Sequence, residues 1–122
     1  MTNTLHRQQR LRGKIAIAKL FKTGKAKIAY PLRICYLLNE QSNDQIVVSV
    51  PKKLFKRAYK RNLLKRRIRE AYRLNQHLIS NSQPHKQIAF MYISKEIATY
   101  KEIENSVITL LNKINNGPEN VN

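Results

Sequence analysis

The residues best suited to chemistry in this sequence are its lysines and arginines, because they are concentrated in one segment. Of 24 basic residues, 11 lie within residues 52–73, where Glu70 is the single acidic residue. They are Lys52, Lys53, Lys56, Arg57, Lys60, Arg61, Lys65, Arg66, Arg67, Arg69 and Arg73. Guanidinium groups bind phosphate oxygens in pairs, and Asn62 adds a neutral donor and acceptor for a base edge or a ribose hydroxyl. This composition favours the binding of a phosphate-rich polyanion.

The same segment divides into two sides when it is projected onto a helix at about 100° per residue. One side is apolar and contains Leu63, Leu64, Ile68, Ala71, Leu74, Leu78 and Ile79. The opposite side is polar and contains Asn62, Lys65, Arg66, Arg69 and Arg73. Arg67 lies nearer the apolar side, from which its long stem can reach solvent. Like charges four residues apart repel each other in an isolated helix, so we predict that the cationic side binds a partner of opposite charge.

The length and the net charge of the chain limit the classes of protein to which it can belong. We predict one domain over residues 1–122, with a basic flexible arm over residues 1–12 and a frayed tail over residues 117–122. The formal net charge is +17, far above the magnitude of about 2 to 8 that keeps a small domain soluble. A polyanionic partner is therefore expected, and nucleic acid is favoured. A membrane surface is the weaker alternative, because the apolar side of the basic helix is needed for a core and the chain has no tryptophan.

The sequence contains no recognisable set of catalytic or metal-binding residues. His6, His77 and His85 have no cysteine or acid at catalytic or metal-ligand spacing. The one cysteine, Cys35, lies in the apolar stretch RICYLL, where a buried thiol is expected. We predict that the protein has no active site, no metal site and no organic cofactor of its own. The single cysteine and the absence of a secretory signal predict a cytoplasmic protein.

Three helices and three strands are predicted to position these residues, in the order α-β-β-α-β-α. The segment GKIAIAKLFKTGK forms a short helix ending at Gly24, and the strands are YPLRICYLLN, QIVVSVP and KQIAFMYIS, with the basic helix before the last. A capping box of Thr99 and Glu102 starts the final helix, which Gly117 and Pro118 end. The segment AKIAY is a possible fourth short strand. The predicted fold class is α+β, an α-β sandwich around one mixed sheet.

Three aromatic residues form a second candidate surface. Phe21, Tyr30 and Tyr36 lie on or beside the first helix and first strand, among several basic residues. Aromatic rings stack on unpaired bases while neighbouring cations hold the backbone. Core packing is the alternative use of these rings, and it stays open for Phe21 and Tyr36.

At VSVPKKLFKRAY and KRNLLKRRIREAYR the chain resembles the bacterial ribonuclease P protein component. That family carries a strand ending in Ser-x-x-Lys-Lys, matched here by Ser49, Lys52 and Lys53, and then a helix with the pattern Arg-Asn-Arg-x-Lys-Arg-x-x-Arg. The helix pattern is matched by Arg61, Asn62, Lys65, Arg66 and Arg69. The chain departs from the family at Leu63, where the pattern has arginine, and at Ile17, where an aromatic residue is frequent.

The resemblance implies that this protein is the small subunit of a ribonucleoprotein whose RNA is the catalyst. That enzyme removes the 5′ leader of precursor tRNA and uses Mg²⁺ bound mainly by the RNA. The implied partners are ribonuclease P RNA and precursor tRNA, and the sequence requires no protein partner. The implied fold is an α-β sandwich with a left-handed βαβ crossover.

The resemblance also implies the site residues. The expected RNA-binding set is Lys52, Lys53, Arg57, Lys60, Arg61, Asn62, Lys65, Arg66, Arg69 and Arg73. The expected leader-binding groove contains Phe21, Tyr30, Tyr36 and Ser49. The alternative function is that of a non-catalytic small ribosomal protein or another binder of structured RNA. A duplex-DNA reader comes third, because two short helices joined by a tight turn are not predicted.

Overall fold

The computed structural model describes residue 11 and residues 13–38, 44–80 and 85–115. The elements in this part of the chain are α1 (Lys14–Thr23), β1 (Lys25–Ala29), β2 (Leu32–Leu38), β3 (Gln45–Ser49), α2 (Ala58–Asn75), α3 (His77–Ser80), β4 (Lys86–Tyr92) and α4 (Tyr100–Asn115). The predicted order is confirmed, with two additions. The possible fourth strand is present as β1, and the short helix α3 follows α2.

One four-stranded mixed sheet carries these helices, in the strand order β1-β2-β4-β3. The β1–β2 and β2–β4 pairs are antiparallel, whereas β3 and β4 are parallel and are connected through α2. The continuous apolar run of β4 lies in a central position, as its sequence predicts, and β3 lies at an edge just before Pro51. The parallel pair and its helix form the βαβ unit of the predicted fold, and the left hand of its crossover stays a prediction.

The sheet is covered on both faces, because its central strands alternate between two apolar clusters. The larger cluster joins one face of the sheet to α2 and α4, through residues that include Ile34, Phe90 and Ile68. The smaller cluster joins the other face to α1, where Leu20 packs with Cys35 and Ala89. Cys35 is buried, as predicted. The fold is therefore a three-layer sandwich of α1, the sheet and the α2–α4 pair.

The end of α1 is fixed to the sheet at Gly24. Its backbone N–H donates to the carbonyl oxygen of Leu20 at 2.9 Å, which confirms the predicted cap. A Cβ atom at Gly24 would lie 2.5 Å from the Leu20 oxygen and 3.0 Å from the Tyr36 oxygen. The φ angle of −73° is accessible to any residue, so glycine is required here for space alone.

The capping box predicted for the last helix is present. The Thr99 N–H donates to Oε1 of Glu102 at 2.9 Å, and the Glu102 N–H donates to Oγ1 of Thr99 at 3.2 Å. The predicted helix stop at Gly117 and Pro118 and the tail over residues 117–122 lie outside the described residues. Of the predicted arm, the structure describes Leu11, which is buried and donates its N–H to the carbonyl oxygen of Ile46 at 2.7 Å.

Candidate nucleic-acid interface

The outer side of α2 carries a line of exposed polar residues. Asn62, Arg66 and Arg69 are exposed, and the spacing of four and then three residues places them one above the other on the helix surface. Lys65 and Arg73 flank this line and are half-buried. We call these five residues the cationic ridge. Its members are the five that the helical projection placed on the polar side.

The buried side of α2 differs from the projection at one position. Leu74 was expected on the apolar side but is exposed, whereas Tyr72 is almost fully buried. Leu74 lies about 120° around the helix axis from Ile68, at the margin of the buried side. The Tyr72 ring takes the central position and packs against Phe90, with ring centroids 5.9 Å apart. Burial raises the pKa of the Tyr72 hydroxyl.

Two arginines of the basic segment donate hydrogen bonds to carbonyl groups within the protein. Nη1 of Arg61 donates to the carbonyl oxygens of Phe55 at 2.7 Å and Lys56 at 2.8 Å, so it fixes the turn before α2. Nη1 of Arg67 donates to the carbonyl oxygen of Ala98 at 2.6 Å and joins α2 to the loop before α4. Arg61 was predicted to bind RNA, and its other guanidinium N–H groups leave that role open. The long stem of Arg67 was expected to reach solvent, but the side chain is half-buried and its guanidinium group donates to a backbone carbonyl group.

Glu70 reduces the charge at the carboxyl end of the ridge. Arg73 donates from Nε to Oε1 of Glu70 at 2.9 Å and from Nη2 to Oε2. This bidentate pair lowers the pKa of the Glu70 carboxyl and raises the pKa of Arg73. The pair also relieves part of the repulsion between Arg69 and Arg73. A phosphate group that binds Arg73 must therefore compete with Glu70, a contact signalled in the sequence by the spacing of three residues.

Glu70→Gln is expected to tighten the binding of a structured RNA by about 2- to 5-fold at low salt, with a smaller gain at higher salt. The change removes the acidic charge beside the ridge and releases the Arg73 guanidinium. The measurement is the Kd by filter binding at two salt concentrations. The double variant Glu70→Gln/Arg73→Gln serves as the control, because it should lose part of the gain. Unchanged or weaker binding by Glu70→Gln would contradict the competition.

The cations continue from α2 to the end of β3. Lys52, Lys53 and Arg57 are exposed in the turn before the helix, and Lys60 is half-buried in its first turn. The turn is closed by the Leu54 N–H, which donates to the carbonyl oxygen of Pro51 at 3.1 Å. All ten residues of the predicted RNA-binding set therefore lie on α2 or on the turn that leads into it.

The predicted leader-binding residues are divided among three places. Phe21, on α1, is 40% exposed, and the half-buried Ser49 lies on the face of the sheet that α1 covers. Tyr36 is 5% exposed and lies on the opposite face, in the larger cluster with Ile34, because alternate residues of β2 face opposite sides. Tyr30 is 68% exposed in the turn between β1 and β2, in a groove shared with α4. Tyr36 therefore does not line the α1 face.

Two other residues occupy the α1 face beside Ser49. Arg33, Met91 and Ser49 are register partners across β2, β4 and β3, and all three are half-buried. Nη1 of Arg33 lies 3.8 Å from the sulfur of Met91. On sequence grounds Arg33 was only one of the several basic residues near the three aromatic rings, and Met91 was missed. The alternation of β2 was the signal available, since it placed Arg33 on the same face as Cys35.

Neither a metal-binding cluster nor a membrane span is found in the described part of the chain. Within residue 11 and residues 13–38, 44–80 and 85–115, no three His, Cys, Asp or Glu side chains are grouped to hold a metal ion. Among these same residues, no helix is both long and apolar enough to cross a bilayer.

Comparison with known proteins identifies relatives. A family model described as ribonuclease P matches residues 5–115. The chain is 40% identical over 110 residues to the ribonuclease P protein component of Porphyromonas gingivalis, which covers 84% of this chain and 80% of the relative. It is 35% identical over 96 residues to that of Clostridioides difficile, covering 78% and 82% of the two chains.

Solved structures agree with the fold. The RNase P protein from Thermotoga maritima matches with a TM-score of 0.74 at 24% identity, over 85% of this chain and 96% of that one. The RNase P protein of Staphylococcus aureus matches with a TM-score of 0.71 at 24% identity, over 84% and 92% of the two chains. The three-layer arrangement of α1, sheet and α2–α4 pair is thus a known fold.

Proposed function

Since this chain belongs to the ribonuclease P protein family, whose enzyme matures the 5′ end of tRNA, we propose that its cationic ridge binds the RNA subunit of that enzyme. The whole of residues 1–122 acts in this proposal as one RNA-binding domain. The protein works in the cytoplasm, where a buried reduced cysteine such as Cys35 is stable.

The observation that carries the proposal is the exposed line of Asn62, Arg66 and Arg69 on a helix whose other side is part of the core. Because Leu64 and Ile68 are fully buried, the helix cannot rotate, and the ridge is held in a fixed orientation. The guanidinium group is planar, so less side-chain entropy is lost for each hydrogen bond that it forms with a phosphate oxygen. If about five phosphates are contacted, the logarithm of the binding constant falls with the logarithm of salt concentration with a slope of about −4.

The protein's contribution to catalysis is electrostatic in this proposal. Folded RNA brings phosphates close together, and the cations of the ridge and its preceding turn neutralise some of them. Mg²⁺ performs the same neutralisation and, as the family resemblance implies, supports the cleavage reaction on the RNA. No described group of carboxylates or histidines fits a metal ion in the protein, so we place Mg²⁺ on the RNA. The protein then lowers the Mg²⁺ concentration that the enzyme requires.

The α1 face of the sheet is proposed to hold the single-stranded leader of precursor tRNA. Phe21 presents a partly exposed ring on which a base can stack. Arg33 supplies a cation, and Ser49 supplies a hydroxyl group, in the row of half-buried residues on the face of the sheet that α1 covers. Tyr30 and Tyr36 are excluded from this surface by their positions at the β1–β2 turn and in the core.

Phe21→Ala is expected to weaken the binding of precursor tRNA to the assembled enzyme by about 10-fold, with mature tRNA unaffected, because only the precursor has a leader to stack. The measurement is the Kd of both substrates by competition. Ile15→Ala is the matched control, since Ile15 is an 87% exposed apolar residue of the same helix. Equal losses for precursor and mature tRNA, or the same loss for Ile15→Ala, would refute the leader-binding role.

The departure at Leu63 removes one cation from the family pattern. Leu63 is half-buried on α2, so it contributes packing in place of a phosphate contact. Of the two nearby arginines, Arg67 is held by the Ala98 carbonyl group, whereas Arg57 is exposed at the start of the helix. We propose that Arg57 supplies the contact that arginine at position 63 makes in the family pattern.

A further inference from the structure

A concave pocket of about 600 Å³ lies beside the first turn of α2. One wall is formed by residues 54–57 and Lys60, and the other wall by residues 95–97 of the loop between β4 and α4. We call it the lysine pocket. Its volume lies in the range of about 300 to 1,000 Å³ that is typical of ligand sites.

Both walls of the lysine pocket are held by hydrogen bonds from within the protein. Arg61 fixes the turn through the carbonyl groups of Phe55 and Lys56. On the other wall, the Tyr92 hydroxyl donates to the Glu96 carbonyl oxygen. The wall is also anchored at the next residue, Ala98, whose N–H donates to the Tyr92 hydroxyl at 2.8 Å and whose carbonyl oxygen accepts from Arg67. The pocket is therefore formed before any ligand binds.

The lining combines an apolar part with an excess of positive charge. Phe55 is buried and packs against Tyr92 with ring centroids 5.8 Å apart, and Leu54 and Ile97 extend this apolar surface. The charged lining residues are Lys56, Arg57, Lys60, Lys95 and Glu96, four cations and one carboxylate. An apolar surface beside several cations fits a nucleotide, whose base and ribose need the former and whose phosphate needs the latter.

We propose that the lysine pocket binds one unpaired nucleotide of the RNA subunit, with Lys56 and Lys95 on its phosphate and its base against Ile97. Glu96 accepts a hydrogen bond from an N–H group of the base. This inference rests on the proposed function and adds Lys95, which is far from the basic segment in sequence. In addition to the ridge, it gives the RNA a second contact, in a concave pocket suited to a single nucleotide.

Lys95→Ala and Lys101→Ala test the proposal in the full-length protein with its cognate RNA. Both remove one exposed lysine from neighbouring parts of the chain, but only Lys95 lines the lysine pocket. We expect Lys95→Ala to weaken RNA binding by about 3- to 5-fold and to reduce the salt slope by about 1, while Lys101→Ala stays close to wild type. Equal effects of the two variants would overturn the proposal.

Chemical probing of the RNA at nucleotide resolution identifies the occupant. One unpaired nucleotide should be protected by the wild-type protein and by Lys101→Ala, and should become reactive with Lys95→Ala. Identical reactivity with all three proteins overturns the proposal. It is also overturned if GMP shifts the NMR signals of residues 95–97 while the RNA does not, because the pocket then takes a free nucleotide.

Arg66→Ala, measured in the same series, separates this proposal from the function on which it rests. Weaker RNA binding by Arg66→Ala with no effect of Lys95→Ala overturns the pocket alone. If neither variant changes RNA binding, the proposed role of the ridge fails as well.

Discussion

Replacing Arg66 and Arg69 together by alanine is expected to weaken the binding of ribonuclease P RNA by about 100-fold. Both side chains are exposed on the cationic ridge, and a hydrogen bond between charged groups contributes about 1.5 kcal/mol, close to a factor of ten in affinity for each. The salt slope should also become shallower by about 1.6, because two fewer phosphates are neutralised. The measurement is a salt titration of the Kd.

Lys19→Ala/Lys22→Ala is the matched control for this variant. It removes the same number of charges from exposed positions of α1, on the other side of the sheet from α2. Its RNA affinity should fall by less than about 5-fold, in line with the modest effect of charges that make no direct contact. If the α1 and α2 variants lose affinity equally, binding depends on net charge and not on the ridge.

Gly24→Ala is expected to lower the free energy of unfolding by about 3 kcal/mol. The added Cβ would lie 2.5 Å from the carbonyl oxygen of Leu20 and 3.0 Å from that of Tyr36. Both are backbone atoms, one in α1 and the other in β2, so relief of the clash requires the last turn of α1 to distort and its junction with the sheet to shift. Denaturant unfolding measures the change, and a loss of preference for precursor tRNA should accompany it because α1 carries Phe21.

Gly13→Ala is the control for Gly24→Ala, since it adds the same methyl group in a different setting. Gly13 has a φ angle of +94°, and a Cβ atom added there would point into open space, with no contact within 4 Å. The cost there is backbone strain alone, about 1 kcal/mol. If Gly13→Ala destabilises the protein more than Gly24→Ala, close packing is not the reason for glycine at position 24.

Much of the fold could be predicted because its elements are strongly patterned. The amphipathic pattern of the basic helix, the capping box at Thr99 and the central position of the apolar strand β4 are all present in the structure. Strand β1 was harder to predict because it is short, lies at an edge and consists of two lysines, two alanines and one isoleucine, with no clear alternation of buried and exposed side chains. Such a strand is fixed by its pairing with β2 more than by its own composition.

Site residues could be predicted from the sequence only where charged side chains recur on one side of a helix. The residues of the ridge were identified from helical spacing, but the partners of Arg61 and Arg67 are carbonyl groups that only tertiary structure brings near. Tyr36 was assigned to a binding groove from the family resemblance and from the cations near it, and the alternation of β2 alone does not reveal which face α1 covers. The lysine pocket depends on Lys95 and was equally hidden from sequence reasoning.

The most direct test of the central claim, that the cationic ridge supports the catalytic RNA, is leader release from precursor tRNA as a function of Mg²⁺ concentration. The RNA would be assayed alone, with the wild-type protein and with Arg66→Ala/Arg69→Ala. We predict that the wild-type protein lowers the Mg²⁺ concentration needed for leader release. With the variant, the reaction should need nearly as much Mg²⁺ as the RNA needs alone. Identical Mg²⁺ dependence with the wild-type protein and the variant would contradict the claim.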